Sequence, residues 1–360
     1  MGKAYLWLFY LILSIMGYHS LSFALPNLKT QEGDFIVPEF TFHNGEKLHS
    51  LKLHYTTLGT PHYNQQHKIT NAVMILHGTA ASGQQFLDSE FGKVLFTPGG
   101  LLDPKRYYII LPDNIGHGKS SKPSDGLHMH FPQYNYQDMV AAQHLLLTKQ
   151  FKIDHLRLLM GTSMGCMHTF DWAITYPHFS DALMPMACLP VEIGGRNRLW
   201  RKIIMDAIEK DPQWHHGEYT SQPPSAMRAF LYISMFNLNA PLPMQKNYPT
   251  SASVDNYFTD FIESKSKLFD INDIYYAVNA SRDYNPWSSL DKITAPMIWI
   301  NFKDDFINPP ELGIAEKAIK RIPTGQFVLI PLSENTHGHI TFNWPGFWQT
   351  YLSALLKKTD

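Results

Sequence analysis

The chain has 360 residues, of which 44% are hydrophobic and 17% charged, and its formal net charge is −1. That balance describes a globular protein rather than a disordered one, and the absence of a basic stripe argues against nucleic acid as a partner. The length fits one α/β domain carrying an insertion, with no internal repeat or low-complexity tract to divide it.

Lys3 is the only charge ahead of an apolar run through Leu6, Leu8, Phe9, Leu11, Ile12, Leu13 and Ile15. Ser22-Phe23-Ala24 then offers small residues at the two positions a signal peptidase reads. Residues 1–24 are expected to be a signal peptide cleaved after Ala24, so that the chain is exported, to the periplasm or beyond the cell; an uncleaved anchor is the alternative. The run is short for a membrane span, no later stretch is long enough, and no stable span is expected after cleavage.

Residues 35–42 and 51–57 alternate apolar and polar around Asn44-Gly45, which predicts a hairpin. Continuous apolar runs at 72–76, 107–111, 156–160, 184–189, 297–300 and 327–330 predict strands buried on both faces. Helices are expected at 138–150 with Asn135 as N-cap, at 165–176 ended by Pro177, at 310–321 and at 346–357. The alternation predicts an α/β fold with a mainly parallel central sheet and helices on both faces.

Residues 191–286 break that rhythm and are rich in Trp, Tyr, Met and Pro. They are read as a helical cap inserted between the sixth and seventh strands, dividing the core into 25–190 and 287–360. Such insertions lie over active sites and shape them. The two cysteines, Cys166 and Cys188, could pair in an exported protein. The favoured reading is two buried thiols, because each adjoins a predicted core element.

Gly161-Thr162-Ser163-Met164-Gly165 fits Gly-x-Ser-x-Gly, after an apolar strand and at the start of a helix. So sharp a turn needs small flanking residues and holds the serine strained, with its hydroxyl exposed. Ser163 is therefore the expected nucleophile. A serine needs a base, and the base an orienting acid. Asp305, beyond the strand at 297–300 and four residues before Pro309, is preferred as the acid over Asp304, which is left as a loop or surface charge. His339, after Gly338 and before the last helix, is preferred as the base over His337, read as a solvated loop histidine. The backbone N–H groups of Met164 and Thr79 are the expected oxyanion donors.

Gly116-His117-Gly118-Lys119-Ser120 ends like a phosphate-binding loop, but Asp113 stands where that motif requires Gly. The stretch matches instead the Asp-x-x-Gly-His-Gly-x-Ser loop common in α/β hydrolases. His337-Gly338-His339 and His128-Met129-His130 lack the carboxylate spacing of a metal site, so neither metal nor cofactor is expected.

The sequence from about Ala72 to the C-terminus resembles the homoserine O-acetyltransferase family of α/β hydrolases. The most specific stretches are Asp138-Met139-Val140-Ala141-Ala142-Gln143, the Ser163 motif, and Asp211-Pro212-Gln213-Trp214 with Gly217 and Tyr219. The resemblance implies an α/β-hydrolase fold, a Ser163–Asp305–His339 triad, and a ping-pong mechanism that passes an acyl group from a thioester to the serine and on to a hydroxyl. The chain departs from the family pattern at Cys166, where a second Gly is usual, and at His77-Gly78-Thr79-Ala80, where His-Ala-Leu-Thr is usual. It departs again at Ile340, where an Asp helps hold the amino group of homoserine.

Ile340 offers no counter-charge to an ammonium, and Trp200, Trp214, Phe230 and Tyr232 favour an apolar group. Arg228 could serve a substrate carboxylate; Arg228 and Tyr232 are the expected substrate contacts. The expected function is hydrolysis of carboxylic esters through acyl-Ser163. Acyl transfer from acyl-CoA to an alcohol is the second reading, and a non-catalytic binding protein the third. The expected partner is a small-molecule ester or thioester, with a homodimer left open.

Overall fold

The computed structural model describes residues 28–359; the expected signal segment and its cleavage site after Ala24 lie outside them. Its strands are β1 (Thr30–Thr41), β2 (Lys47–Leu58), β3 (Ala72–Leu76), β4 (Tyr108–Pro112), β5 (Leu158–Thr162), β6 (Leu183–Met186), β7 (Met297–Phe302) and β8 (Gly325–Ile330). They form one sheet in the order β1-β2-β4-β3-β5-β6-β7-β8. The β1–β2 hairpin is antiparallel and joins β4 antiparallel, while every pairing from β4 to β8 is parallel.

The continuous apolar runs became central strands because both faces are covered. In β3, Ala72, Met74 and Leu76 enter one buried cluster, while Val73 and Ile75 enter the cluster on the opposite face. The helices of the first half are α1 (Gln85–Asp88), α2 (Glu90–Leu95), α3 (Tyr136–Leu145) and α4 (Met164–Thr175). Asn135 caps α3 as expected, accepting from the Asp138 N–H, while the Asp138 side chain accepts from the Asn135 N–H.

Between β6 and β7 lie five α-helices, two short 3-10 turns and no strand: α5 (Gly195–Glu209), α6 (Pro224–Leu238), α7 (Pro241–Asn247), α8 (Ser251–Lys265) and α9 (Ile271–Asn279). Their own apolar cluster joins Ile204 and Ile208 of α5 to Phe230 and Leu231 of α6 and to Ile271, Ile274 and Val278 of α9. The signature residues of this segment are its scaffold. Asp211 accepts from the Gln213 and Ala226 N–H groups, Trp214 Nε1 donates to Asn272, and Tyr219 donates to Asp270.

The chain closes with α10 (Ile314–Ala318) and α11 (Gln349–Lys358). The helix expected over 310–321 is broken into short turns around Gly313, whose φ of +61° is incompatible with a continuous helix. Among the described residues no helix is long and apolar enough to cross a membrane.

The favoured reading of two free thiols is corrected. Cys166 and Cys188 form a disulfide, with their Cα atoms 5.8 Å apart. β5 and β6 are neighbours in the sheet, so the first turn of α4 meets the chain just beyond β6. The bond is fully buried and closes a sequence separation of 22 residues. A loop of that size contributes about 3 kcal/mol by constraining the unfolded chain. Thermal unfolding under a phosphine reductant is therefore expected several degrees lower than without it. An unchanged midpoint would mean that packing alone holds this corner.

Candidate active site

The site is assembled where β5 meets α4. Ser163 sits between them at φ +53° and ψ −111°, a strained conformation for a residue with a side chain. The flanking glycines are sterically required. A Cβ on Gly161 would stand 2.0 Å from the Gly165 carbonyl oxygen, and one on Gly165 would stand 2.1 Å from that of Leu76. The turn is fixed by the Ser163 N–H, which donates to the Met186 carbonyl at 2.9 Å, and by the Gly165 N–H, which donates to His77 at 3.0 Å.

The structure brings together the three residues selected from the sequence. His339 Nε2 lies 2.8 Å from Ser163 Oγ, and its Nδ1 lies 2.9 Å from Asp305 Oδ2. Asp305 and His339 are both buried, whereas Ser163 is only half-buried. Asp305 Oδ1 accepts from the Ile307 and Asn308 N–H groups, and Oδ2 accepts from Asn308 Nδ2. Burial raises the pKa of this carboxyl, but His339 and the Asn308 donors outweigh that and hold it below its ordinary value. An ionised Asp305 accepts the hydrogen bond from Nδ1–H, which leaves Nε2 free of a proton and able to accept from the serine hydroxyl.

The competing residues have other work. Asp304 is not a free surface charge: its Oδ2 accepts from Thr336 Oγ1 at 2.7 Å and from the Gly338 N–H at 3.2 Å, tying down the loop that carries His339. His337 is half-buried and stacks on Trp344 with ring centroids 3.6 Å apart.

The two expected oxyanion donors are open. Among the described residues neither the Met164 nor the Thr79 N–H has an acceptor, and Thr79 lines the same cavity as Ser163 and His339. Met164 opens α4, whose N-terminus adds partial positive charge. Thr79 is aimed by His77, a residue the sequence reading passed over. The Asn114 N–H donates to His77 Nε2 at 3.1 Å, so the proton sits on Nδ1 and is donated to the Gly78 carbonyl at 2.8 Å. That carbonyl belongs to the same peptide unit as the Thr79 N–H and also accepts from Ala81, so fixing one end aims the other. Burial keeps His77 neutral, with its pKa lowered to about 4. Gln85 adds a second brace, accepting from the Gly78 N–H and donating to Thr162 Oγ1.

The phosphate-loop look-alike closes on a carboxylate. Asp113 accepts from the Gly83 and Lys119 N–H groups, each at 2.8 Å. Among the described residues no group of three or more His, Cys, Asp or Glu is arranged to hold a metal ion.

The cavity at Ser163 has a volume of about 310 Å³. Its walls are mostly apolar and include Trp200, Phe230, Leu231, Phe269, Val278 and Ile340. Arg228 and Tyr232 are corrected here, because both are exposed and neither lines it. Tyr232 packs instead against Phe258, with ring centroids 5.5 Å apart. α6 turns Phe230, Leu231, Ser234, Asn237 and Leu238 toward the cavity, and helical spacing places positions 228 and 232 on the opposite face. The charged residues that do line the cavity are Arg201 and Lys265.

Residues 71–334 match the family described as having the alpha/beta hydrolase fold. A probable acyltransferase of Methanothermobacter thermautotrophicus is 26% identical over 323 residues, covering 89% of this chain and 96% of its own. A homoserine O-acetyltransferase of Chlorobaculum parvum is 32% identical over 210 residues, covering 54% of this chain and 55% of its own. Among solved structures, an acetylester hydrolase from Corynebacterium glutamicum is 20% identical with a TM-score of 0.77, over 91% of this chain and 96% of that one.

Proposed function

The chain belongs to the alpha/beta hydrolase fold family, and on that premise we propose that it hydrolyses carboxylic esters through an acyl-Ser163 intermediate. The observation that carries this reading is the 2.8 Å contact between Ser163 Oγ and His339 Nε2, facing a cavity with two uncommitted amides. Ser163 Oγ attacks the ester carbonyl while His339 Nε2 takes its proton. The Met164 and Thr79 N–H groups hold the resulting oxyanion. Collapse breaks the acyl–oxygen bond, and His339 returns the proton to the departing alcohol. Water then attacks the acyl-serine, giving a proton to His339; the acyl–Oγ bond breaks, His339 returns that proton to Ser163 Oγ, and the carboxylic acid leaves.

The named relatives divide between acyl transfer and ester hydrolysis, so the acceptor has to be argued from the cavity. Transfer to homoserine would bury an ammonium. Among the described residues that line the cavity there is no Asp or Glu, and Ile340 is one of its walls. An unpaired buried charge costs about 3–5 kcal/mol, roughly 10²–10⁴-fold in rate. Water or an uncharged alcohol meets no such penalty. The test is kcat/KM for short-chain aryl esters beside kcat/KM for acetyl-CoA with homoserine. Ester hydrolysis is expected to lead by roughly 10²-fold or more on that same penalty. Efficient formation of O-acetylhomoserine would overturn the reading in favour of a transferase. The disulfide supports the expected export, since such bonds persist in oxidising compartments.

A further inference from the structure

We propose that Arg201 anchors a carboxylate on the substrate, so that the preferred ester carries a negative charge away from the bond that is cleaved. The inference rests on the acyl-serine reading and names the substrate class for it.

Arg201 lies on α5, only 2% exposed, yet it lines the same cavity as Ser163 and His339. An arginine keeps its charge at any ordinary pH, and a buried cation is costly unless something negative meets it. Among the described residues no carboxylate does so; the face of the Trp200 ring, with its centroid 4.3 Å from the guanidinium, compensates only in part. Nε donates to Asn197 Oδ1 at 3.1 Å and Nη1 to the Val278 carbonyl at a long 3.4 Å, both neutral acceptors. The neutral Tyr136 hydroxyl lies within hydrogen-bonding reach of this guanidinium and Arg198 repels it; among the described residues no carboxylate acts on it.

The surroundings repeat the same deficit. The indole Nε1 of neighbouring Trp200 is buried with no partner among the described residues. A carboxylate would supply this buried cation with two acceptor oxygens in a geometry that matches the guanidinium fork. The other charged side chain on the cavity wall, Lys265, is also a cation, and the remaining wall is largely apolar. The lining therefore suits a substrate with an apolar body and an acidic end, such as the half-ester of a dicarboxylic acid. A zwitterion gains no comparable partner for its ammonium.

The alternative is that Arg201 merely struts α5 against α9 through Val278. The test uses 4-nitrophenyl hemiadipate and its neutral counterpart of equal chain length, 4-nitrophenyl hexanoate, on the full chain. The wild type is expected to favour the hemiadipate, and free adipate to inhibit hexanoate hydrolysis competitively. In Arg201→Gln, kcat/KM for the hemiadipate should fall roughly 10–100-fold, mainly through KM, as for loss of a charged hydrogen bond. Hexanoate hydrolysis should change little, and Arg201→Lys should recover part of the loss.

Equal wild-type rates on the two esters, no inhibition by adipate, or a parallel fall for both esters in Arg201→Gln would each overturn the proposal. The first two outcomes decide it even if the variant does not fold. If the wild type cleaves neither ester and Ser163 reacts with no fluorophosphonate, the acyl-serine reading itself fails. If Ser163 reacts and hexanoate is cleaved without discrimination, only the role of Arg201 fails.

Discussion

Ester turnover in Ser163→Ala is expected to fall by ~10⁴–10⁶, as it does when the nucleophile of a serine triad is removed. The melting temperature should barely move. Ser163 Oγ makes its hydrogen bond to His339 Nε2 and faces the cavity, while the strained turn is held by backbone bonds to Met186 and His77 that alanine retains. Alanine keeps the Cβ and the positive φ, so the strain stored at the elbow is the same in both proteins. Kinetics paired with a thermal melt separates the outcomes. Activity within tenfold of wild type would place the nucleophile elsewhere; a large drop in melting temperature would make the loss structural.

Asp305→Asn is expected to lower kcat by ~10⁴, the scale seen when the triad acid is neutralised with its shape kept. The carboxylate has its oxygens committed to the Ile307 and Asn308 amides, to Asn308 Nδ2 and to His339 Nδ1. An asparagine has only one acceptor oxygen. If that oxygen keeps the two amides, the new NH₂ faces His339 Nδ1. The imidazole must then carry its proton on Nε2, where it confronts the Ser163 hydroxyl and can no longer accept from it. Asp304→Asn is the control. Its carboxylate bonds Thr336 and the Gly338 N–H rather than the imidazole, so its loss should loosen the His339 loop and cost far less in kcat. Comparable losses at both positions would remove the distinction between orienting the base and holding its loop.

Much of this site is legible in the sequence because steric demands leave residue-level traces. The runs at 72–76 and 297–300 have to be apolar throughout, since both faces of β3 and β7 are buried. Gly161 and Gly165 have to be small, since a Cβ at either would meet backbone at about van der Waals overlap. The spacing from Asp305 to Pro309 and the Gly before His339 selected the right member of each competing pair for the hydrogen-bonded arrangement.

What was illegible depends on relations between segments. The Cys166–Cys188 bond follows from the pairing of β5 with β6, which no local pattern states. The burden carried by Asp304 depends on where the loop of Thr336 and Gly338 lands. Arg228 and Tyr232 were chosen because of their chemistry and their place in the insertion, without regard to the phase of α6. Arg201 did leave a trace. On α5 the positions Arg201, Ile204, Met205 and Ile208 fall at the spacing of one helix face, and all four are buried. A charged residue in phase with an apolar stripe marks a cation turned inward.

The central claim is that Ser163 takes up the acyl group. It is tested most directly by treating the full chain with an aryl fluorophosphonate and locating the adduct by peptide mass spectrometry. The account predicts one adduct per chain, on the peptide bearing Ser163, with ester hydrolysis lost in proportion and no adduct in Ser163→Ala. An adduct on a different residue, or full hydrolytic activity with Ser163 modified, would contradict it.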